Sequence, residues 1–135
     1  MEKAKHNAIR QWLIKSQRDL GSARRLMEGA EPYLDTAVYH CQQAAEKAIK
    51  GYLTYRDLAC EKTHNLVALS ALCTPLEPGF VQWEEVAAML TPYATEFRYP
   101  GDVLEPERGE AEQALAAAEA FVNFVIQLLP DAARP

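Results

Sequence analysis

The sequence has 135 residues, of which 49% are hydrophobic and 24% are charged, and its formal net charge is −5. These proportions are typical of one globular domain over residues 1–135, and they exclude a disordered or fibrous chain. The apolar runs are far shorter than the ~20 residues of a membrane span, and the N-terminus lacks a signal-peptide core. We therefore expect a cytoplasmic protein with no membrane partner.

The charge is unevenly distributed along the chain. Residues 1–62 carry eleven Lys or Arg and eight Asp or Glu, whereas residues 63–135 carry three and eleven. An acidic chain is a weak nonspecific nucleic-acid binder, because the neutralisation of phosphates supplies most of that affinity. The net charge therefore does not support RNA as a partner. A local basic surface on the first two helices stays open, as does attraction between the unlike halves across an oligomer interface.

Cysteines and short motifs give no sign of a metal site. Cys41, Cys60 and Cys73 are widely spaced and form no CxxC pair, which argues against a disulfide framework and against zinc. We predict that they are small buried hydrophobic residues. The sequence has no glycine-rich phosphate loop and no cluster of metal-ligating residues, so it predicts neither a metal nor a cofactor.

The first two helices are predicted from their apolar periodicity. Apolar positions recur every three or four residues over 4–28, which predicts an amphipathic helix. Its inward stripe is Ile9, Leu13, Ser16, Leu20, Ala23 and Met27. Gly29 favours a helix end and Pro32 cannot continue a helix. A second helix over residues 33–55 follows after a short connection, so the two helices should pack antiparallel.

The second helix has two unlike faces. One face consists of the mostly small residues Val38, Cys41, Ala45, Ala48 and Tyr52, which let another helix approach closely. The polar residues fall opposite: His40, Gln42, Gln43, Glu46, Lys47 and Lys50. Carboxamides beside an imidazole favour a semi-buried hydrogen-bond network, with His40 partly buried. The alternative is a solvated face in which Glu46 and Lys50 form an i,i+4 ion pair.

The remaining segments are also predicted to be helical. Thr63 is the expected N-cap of a short helix over residues 65–72, which directs Leu66, Leu69 and Leu72 inward. Helix resumes near residue 81, is kinked or restarted at Pro92, and continues for a turn over 93–97. Its inward residues are Trp83, Val86, Ala87 and Leu90. Residues 98–102 leave the helix.

The last predicted element is a helix over residues 109–129. Its inward residues are Ala114, Ala118, Phe121, Val125 and Leu128.

The pattern as a whole predicts the fold class. No segment shows the sustained apolar and polar alternation of a β-strand. We therefore expect an all-α fold: an antiparallel up-and-down bundle of four long helical segments plus a short helix.

Two loops carry further candidate groups. Thr63-His64 is either a plain helix cap or a site residue, because an imidazole at a helix start is held in its neutral form by the dipole. Arg98 is followed by Tyr99 and a proline. It is either a helix cap or a guanidinium held by a stiff loop, where it could bind a carboxylate or phosphate. Glu46 is one candidate for that carboxylate.

These segments together resemble the HEPN domain family (higher eukaryote and prokaryote nucleotide-binding), and the resemblance covers nearly the whole chain. It is carried by residues 19–23, by the string YHCQQAAEKAIK over 39–50, by THNL over 63–66 and by RYP over 98–100. The resemblance implies an antiparallel helical bundle that is commonly a homodimer. Such proteins are often encoded beside, or fused to, a small nucleotidyltransferase, and some branches are metal-independent ribonucleases that act as toxins.

The sequence departs from the ribonuclease branches at their motif. Those enzymes carry an Arg followed after four to six residues by a His on a late helix. Here His64 is the last histidine, so none follows Arg98, and Arg56 with His64 does not fit the spacing. The resemblance therefore leans towards a protein that is not an enzyme.

We accordingly expect a non-catalytic HEPN-type homodimer in a toxin–antitoxin-like module. It would bind a nucleotide or a nucleotidyl-transfer substrate and act with a separately encoded minimal nucleotidyltransferase. The candidate ligand-binding residues are His40, Gln43, Glu46, Lys47, Lys50, His64, Arg98 and Tyr99. Two alternatives remain. One is a metal-independent ribonuclease toxin in which His40 or His64 replaces the missing histidine, and the other is a structural dimerisation module.

Overall fold

A computed structural model of the protein describes residues 2–101 and 103–135. Over these ranges the chain forms five α-helices and no β-strand, which confirms the all-α bundle. The helices are α1 (Glu2–Leu26), α2 (Leu34–Tyr55), α3 (Leu66–Cys73), α4 (Glu84–Leu90) and α5 (Arg108–Leu128). Three short 3-10 turns span Pro78–Trp83, Thr91–Ala94 and Asp131–Ala133. Within the described ranges, no helix has the length and apolar character to cross a membrane.

Helices α1 and α2 form the predicted antiparallel pair. Ser16 donates a hydrogen bond of 2.7 Å to the carbonyl of Ala44, while Lys5, near one end of α1, reaches Asp57 just past the far end of α2. A Cβ atom on Gly51 would lie 2.4 Å from Leu13 Cδ2, so any larger residue at this position requires the Leu13 side chain to move. The six predicted inward residues of the 4–28 stripe are all buried. The α1–α2 pair is therefore the frame on which the site is built.

The predicted small-residue face of α2 is also confirmed. Its five residues (Val38, Cys41, Ala45, Ala48 and Tyr52) are buried. Cys73 is buried as well, whereas Cys60 is only partly buried, so the prediction for the cysteines is correct at two of three positions. Burial raises the pKa of Cys41 and of Cys73 to about 12, and the charges of Glu119 and Asp19 add to the effect at Cys41. Both thiols therefore stay protonated at neutral pH.

An aromatic cluster joins α2 to α5. We define it as Tyr52, Phe80, Trp83, Phe121 and Phe124, whose ring centroids lie 5.1–6.3 Å apart in successive contacts. Phe80 is fully buried, although it precedes the helix predicted to resume near residue 81 and was not among the predicted inward residues. Of the predicted α5 stripe, four residues are buried and Leu128 is only partly buried, because the helix ends there and Leu129 packs inward instead.

The fourth predicted helical segment is not continuous. It is divided into the turn Pro78–Trp83, helix α4 and the turn Thr91–Ala94, with a proline near the start of each turn. Ala87 and Leu90 are buried, and Trp83 and Val86 pack partly buried against the core. The expected helical turn over 93–97 ends early, since the 3-10 turn stops at Ala94 and Phe97 has φ +64°. Residues 98–101 are non-helical as predicted, and Asp102 lies outside the described residues.

The start of α3 differs from the prediction. Asn65, not Thr63, is the N-cap: its Oδ1 accepts hydrogen bonds from the backbone N–H groups of Val67 and Ala68 at 3.0 and 3.1 Å. Thr63 Oγ1 instead accepts from the N–H of Asn65 at 3.1 Å, so it supports the cap. Because the helix begins at Leu66, its register places Cys73 inward and leaves Leu72 36% exposed, contrary to prediction.

Candidate functional site

A buried carboxylate on α1 holds two groups of α2. We call Asp19, His40 and Lys47 the Asp19 cluster. Asp19 Oδ1 lies 2.7 Å from His40 Nδ1, and Asp19 Oδ2 accepts a hydrogen bond of 2.7 Å from Lys47 Nζ. His40 and Lys47 are seven residues apart, which puts them two turns apart on one face of the helix. The Asp19 side chain is 9% exposed, whereas those of His40 and Lys47 are each 27% exposed.

A second buried carboxylate, on α2 itself, holds a similar set. We call Glu46, Lys50 and His64 the Glu46 cluster. Glu46 Oε2 accepts a hydrogen bond of 2.9 Å from Lys50 Nζ, which is the predicted i,i+4 ion pair. Glu46 Oε1 lies 2.7 Å from His64 Nδ1. The Glu46 side chain is 6% exposed and that of Lys50 is 14% exposed, but the His64 side chain is 65% exposed.

Two carboxamides connect the Glu46 cluster to the backbone. Gln42 Nε2 donates to Glu46 Oε1 at 3.1 Å and to the His64 carbonyl at 2.9 Å. Gln43 Nε2 donates to Gln42 Oε1 at 2.7 Å. Gln42 and Glu46 are buried, which agrees with the favoured semi-buried network and not with the alternative of a solvated face. The loop that carries His64 folds over this part of α2, and hydrogen bonds offset the cost of burying the polar groups.

Hydrogen bonding outweighs burial at Glu46. Burial acts to raise the pKa of Glu46, but hydrogen bonds from Lys50, His64 and Gln42, with the charge of Lys50, hold it below its ordinary value of 4.5. Because the pKa of Glu46 is lower in the folded chain than in the unfolded one, the ionised carboxylate stabilises the fold above pH 4.5. That stabilisation is lost as the pH falls through the lowered value.

His40 and His64 both contact their carboxylate through the same ring nitrogen, Nδ1. A carboxylate only accepts hydrogen bonds, so Nδ1 carries the proton in His40 and in His64. The other ring nitrogen, Nε2, then accepts a proton when the ring is neutral and donates one when the ring is charged. His40 was expected to be partly buried, and it is. The two carboxylates thus fix the orientation of two imidazoles and two ammonium groups along one helix.

Arg98 contacts an aromatic ring. Its Cζ lies 3.7 Å from the centroid of the Tyr39 ring, a close cation–π contact, and the Tyr39 ring meets the ring of His40 edge-on at 5.4 Å. Glu46 is not the partner of Arg98, because its oxygens bond to Lys50, His64 and Gln42. Tyr99 is 77% exposed, and its side chain makes no hydrogen bond to either cluster among the described residues.

The structure brings together most of the predicted residues and adds three. His40 and Lys47 meet at Asp19, while Glu46, Lys50, His64 and Gln43 share the second network, and Arg98 lies beside Tyr39. Asp19, Gln42 and Tyr39 were absent from the predicted set. Asp19 carries a usable signal: it lies three residues after Ser16 on the buried stripe of α1, where a carboxylate needs a cationic partner.

The arrangement suits an anion. Imidazole, ammonium and guanidinium groups are the side chains that bind phosphate and carboxylate groups. Among the residues that the structure describes, no group of three or more His, Cys, Asp or Glu could hold a metal ion.

Comparison with known proteins gives a consistent result. The family model described as "HEPN domain" matches residues 9–129, a range that includes both clusters and Arg98. The crystal structure of TT1696 from Thermus thermophilus is similar, with 27% identity and a TM-score of 0.75, over 91% of this chain and 99% of that one. The crystal structure of ST0689, an archaeal HEPN homologue, has 27% identity and a TM-score of 0.69, over 89% and 96%. No curated protein matches significantly.

Proposed function

The chain belongs to the HEPN domain family, and from this premise we propose that it is a non-catalytic binding protein that takes a nucleotide on the polar side of α2. In this proposal it is a homodimer and acts with a separately encoded minimal nucleotidyltransferase, in a module of the toxin–antitoxin kind. The nucleotide is either a ligand or part of the substrate of that nucleotidyltransferase.

The observation that carries the proposal is the pair of clusters held by Asp19 and Glu46. Each carboxylate fixes one imidazole and one ammonium group at 2.7–2.9 Å. Groups that are already oriented lose less conformational entropy when a ligand binds, so more of their interaction energy appears as affinity. His40, Lys47 and His64 also keep part of their surface exposed, which a ligand requires.

The absence of the ribonuclease motif supports a binding role. General acid–base cleavage of RNA needs an imidazole at the scissile phosphate and a cation to stabilise its charge. Ribonucleases of this family take both from an Arg and a His that follows it closely, and the sequence has no histidine after His64. What remains is a set of donors suited to holding a phosphate.

Calorimetry with ATP, AMP and adenosine tests the binding role. We expect saturable heat for ATP and AMP and none for adenosine, because the site offers donors to phosphate. Lys47→Gln should weaken ATP binding at least fivefold, and Lys3→Gln, an exposed lysine near the start of α1, should leave it within twofold. Wild-type protein that gives no saturable heat with any nucleotide would contradict the nucleotide-binding role.

The homodimer is tested separately by its elution and mass. Light scattering on a sizing column at micromolar concentration should give twice the 15.1 kDa of the chain. The attraction between the basic half and the acidic half of the sequence supports such an assembly, and it should weaken with salt. A mass of one chain at these concentrations would reject this part of the proposal.

A ribonuclease toxin with a degenerate site is the second candidate. One observation favours it: Glu46 fixes Nδ1 of the exposed His64, which makes Nε2 a suitably oriented acid or base. Induction in cells of the wild type and of His64→Ala separates the two functions. Growth arrest and RNA decay that disappear with His64 would establish the enzyme. If His64→Ala instead lowers the stability of the protein and changes neither nucleotide affinity nor cellular RNA, the result would indicate a purely structural module.

A further inference from the structure

The two clusters differ in the charge that they present. In each one, an ammonium group is balanced by a carboxylate, so with neutral imidazoles both clusters are close to neutral. The Asp19 cluster, however, has Arg98 near it. The contact of Arg98 is with the ring of Tyr39, which carries no formal charge and leaves the guanidinium charge uncompensated by that contact. An anion is therefore attracted more strongly to the Asp19 cluster.

Tyr39 also determines how Arg98 is presented. The Arg98 Cζ atom lies 3.7 Å from the Tyr39 ring centroid, a distance typical of a guanidinium stacked on an aromatic face. The N–H donors lie in the plane of that group, so stacking leaves them available. The Tyr39 ring lies 5.4 Å from the ring of His40, so these two distances bound the separation between guanidinium and imidazole. The Arg98 Cζ atom and the centre of the His40 ring are therefore no more than about 9 Å apart.

The Glu46 cluster offers less to an anion. Lys50 has half the exposure of Lys47, at 14% against 27% of the side chain. The Trp12 ring, whose centroid lies 5.9 Å from the Lys50 ammonium group, is one of the groups that limit this exposure. His64 is exposed, but its backbone carbonyl and its Nδ1 are both bound to α2 side chains. These contacts attach the loop before α3 to α2.

We propose that the Asp19 cluster and Arg98 form the phosphate subsite of the nucleotide site. Tyr39 is its positioning residue, and the Glu46 cluster mainly holds the loop before α3 in place. This assignment rests on the proposed nucleotide binding and deepens it, since it names the part of the ligand that is recognised. The ligand class is a phosphorylated nucleoside whose phosphates, more than its base, supply the affinity.

Calorimetry with ATP and with inorganic pyrophosphate tests the assignment through four substitutions. Arg98→Gln should weaken the binding of both ligands at least tenfold. Tyr39→Leu should weaken both about threefold to tenfold, and Tyr39→Phe, which keeps a ring face for the guanidinium, should restore most of the affinity. Lys50→Gln, in the Glu46 cluster, should change both by less than threefold.

Arg56→Gln is the matched control. Arg56 is also an exposed arginine over a tyrosine ring, with its Cζ 6.0 Å from the centroid of Tyr52, but it lies beyond the end of α2. Its loss should leave both affinities within twofold. Thermal melts of each variant establish that the compared proteins are folded, and Tyr39→Phe provides the comparison if Tyr39→Leu does not fold.

The outcomes separate the subsite from the wider function. ATP binding that survives Arg98→Gln but is lost with Lys50→Gln would overturn the subsite and leave the nucleotide-binding function standing. Pyrophosphate binding that depends on Arg98, without any ATP binding, would keep the anion subsite and reject the nucleotide. If the wild type binds neither ligand, both proposals are rejected.

Discussion

Helix α2 carries two unlike sets of contacts, one apolar and one polar, and they differ in what packing alone would require. Around Tyr52 it joins the aromatic cluster, whose contacts are apolar and buried. Between residues 39 and 50 it joins the Asp19 and Glu46 clusters, in which buried carboxylates hold cations at the protein surface. Well-packed apolar residues often stabilise a fold as much as buried ion pairs do. The polar clusters are therefore not what packing alone would require, which favours a role in binding.

The largest expected effect is on the aromatic cluster. Phe80→Ala removes a fully buried ring that contacts Tyr52, Phe121 and Phe124. We expect the free energy of unfolding to fall by about 3–5 kcal/mol, measured by urea denaturation, because a cavity replaces the ring. Val81→Ala, at a 51% exposed position next to it, is the control and should change little. A small loss for Phe80→Ala would mean that this cluster does not hold the fold.

Removal of the Asp19 carboxylate should act on both stability and binding. Asp19→Ala leaves Lys47 and His40 without their acceptor. Because both can partly reach water, we expect a loss of about 1–3 kcal/mol in the free energy of unfolding. ATP binding should also weaken, since the two donors lose their orientation. Unchanged ATP affinity in a folded Asp19→Ala protein would show that this orientation is unimportant.

Acid should weaken the Glu46 cluster and spare the aromatic one. The pKa of Glu46 is lowered in the folded chain, so its stabilising effect is present above pH 4.5 and is lost below it. Glu46→Gln should be less stable than the wild type at neutral pH, and the difference should narrow as the pH falls from about 5 to about 3. Urea denaturation across this range measures it. The control Glu85→Gln, at an exposed acid on α4, should change the stability little at neutral pH.

The smallest expected effect is at an exposed ion pair. Lys5 and Asp57 are 3.0 Å apart, and the Asp57 side chain is 78% exposed. Lys5→Ala should cost less than about 1 kcal/mol of unfolding free energy, and the loss should shrink in high salt. A larger loss, unaffected by salt, would show that exposure is a poor guide to the contribution of charged contacts in this protein.

The fold could be predicted largely from local patterns. The stripes of α1 and of the small-residue face of α2 follow from a period of 3.6 residues, and they are correct because one side of each helix faces the core. Phe80 was missed because a short 3-10 turn that begins at a proline has no such stripe to read. The α3 cap was misplaced because Thr63 and Asn65 are both good cap residues, and only the backbone path decides between them.

The site could be predicted only in part. The polar residues of α2 are recognisable by type, yet which of them are buried depends on the loop before α3, and that loop is distant in sequence. The sequence therefore favoured a semi-buried network for Gln42 and Glu46 but left a solvated face open. The pairing of Asp19 with Lys47 and the stacking of Arg98 on Tyr39 are contacts between separate elements. Neither leaves a periodic signal in the sequence.

The most direct test of the central claim is an ATP titration in which NMR monitors the ring signals of the three histidines. His40 and His64 each belong to one cluster, and His6, near the start of α1, is a built-in control. We predict a saturable shift at His40, a smaller one at His64 and none at His6. A titration that leaves His40 unmoved, or that moves His6 as far, would contradict a nucleotide site on the polar side of α2.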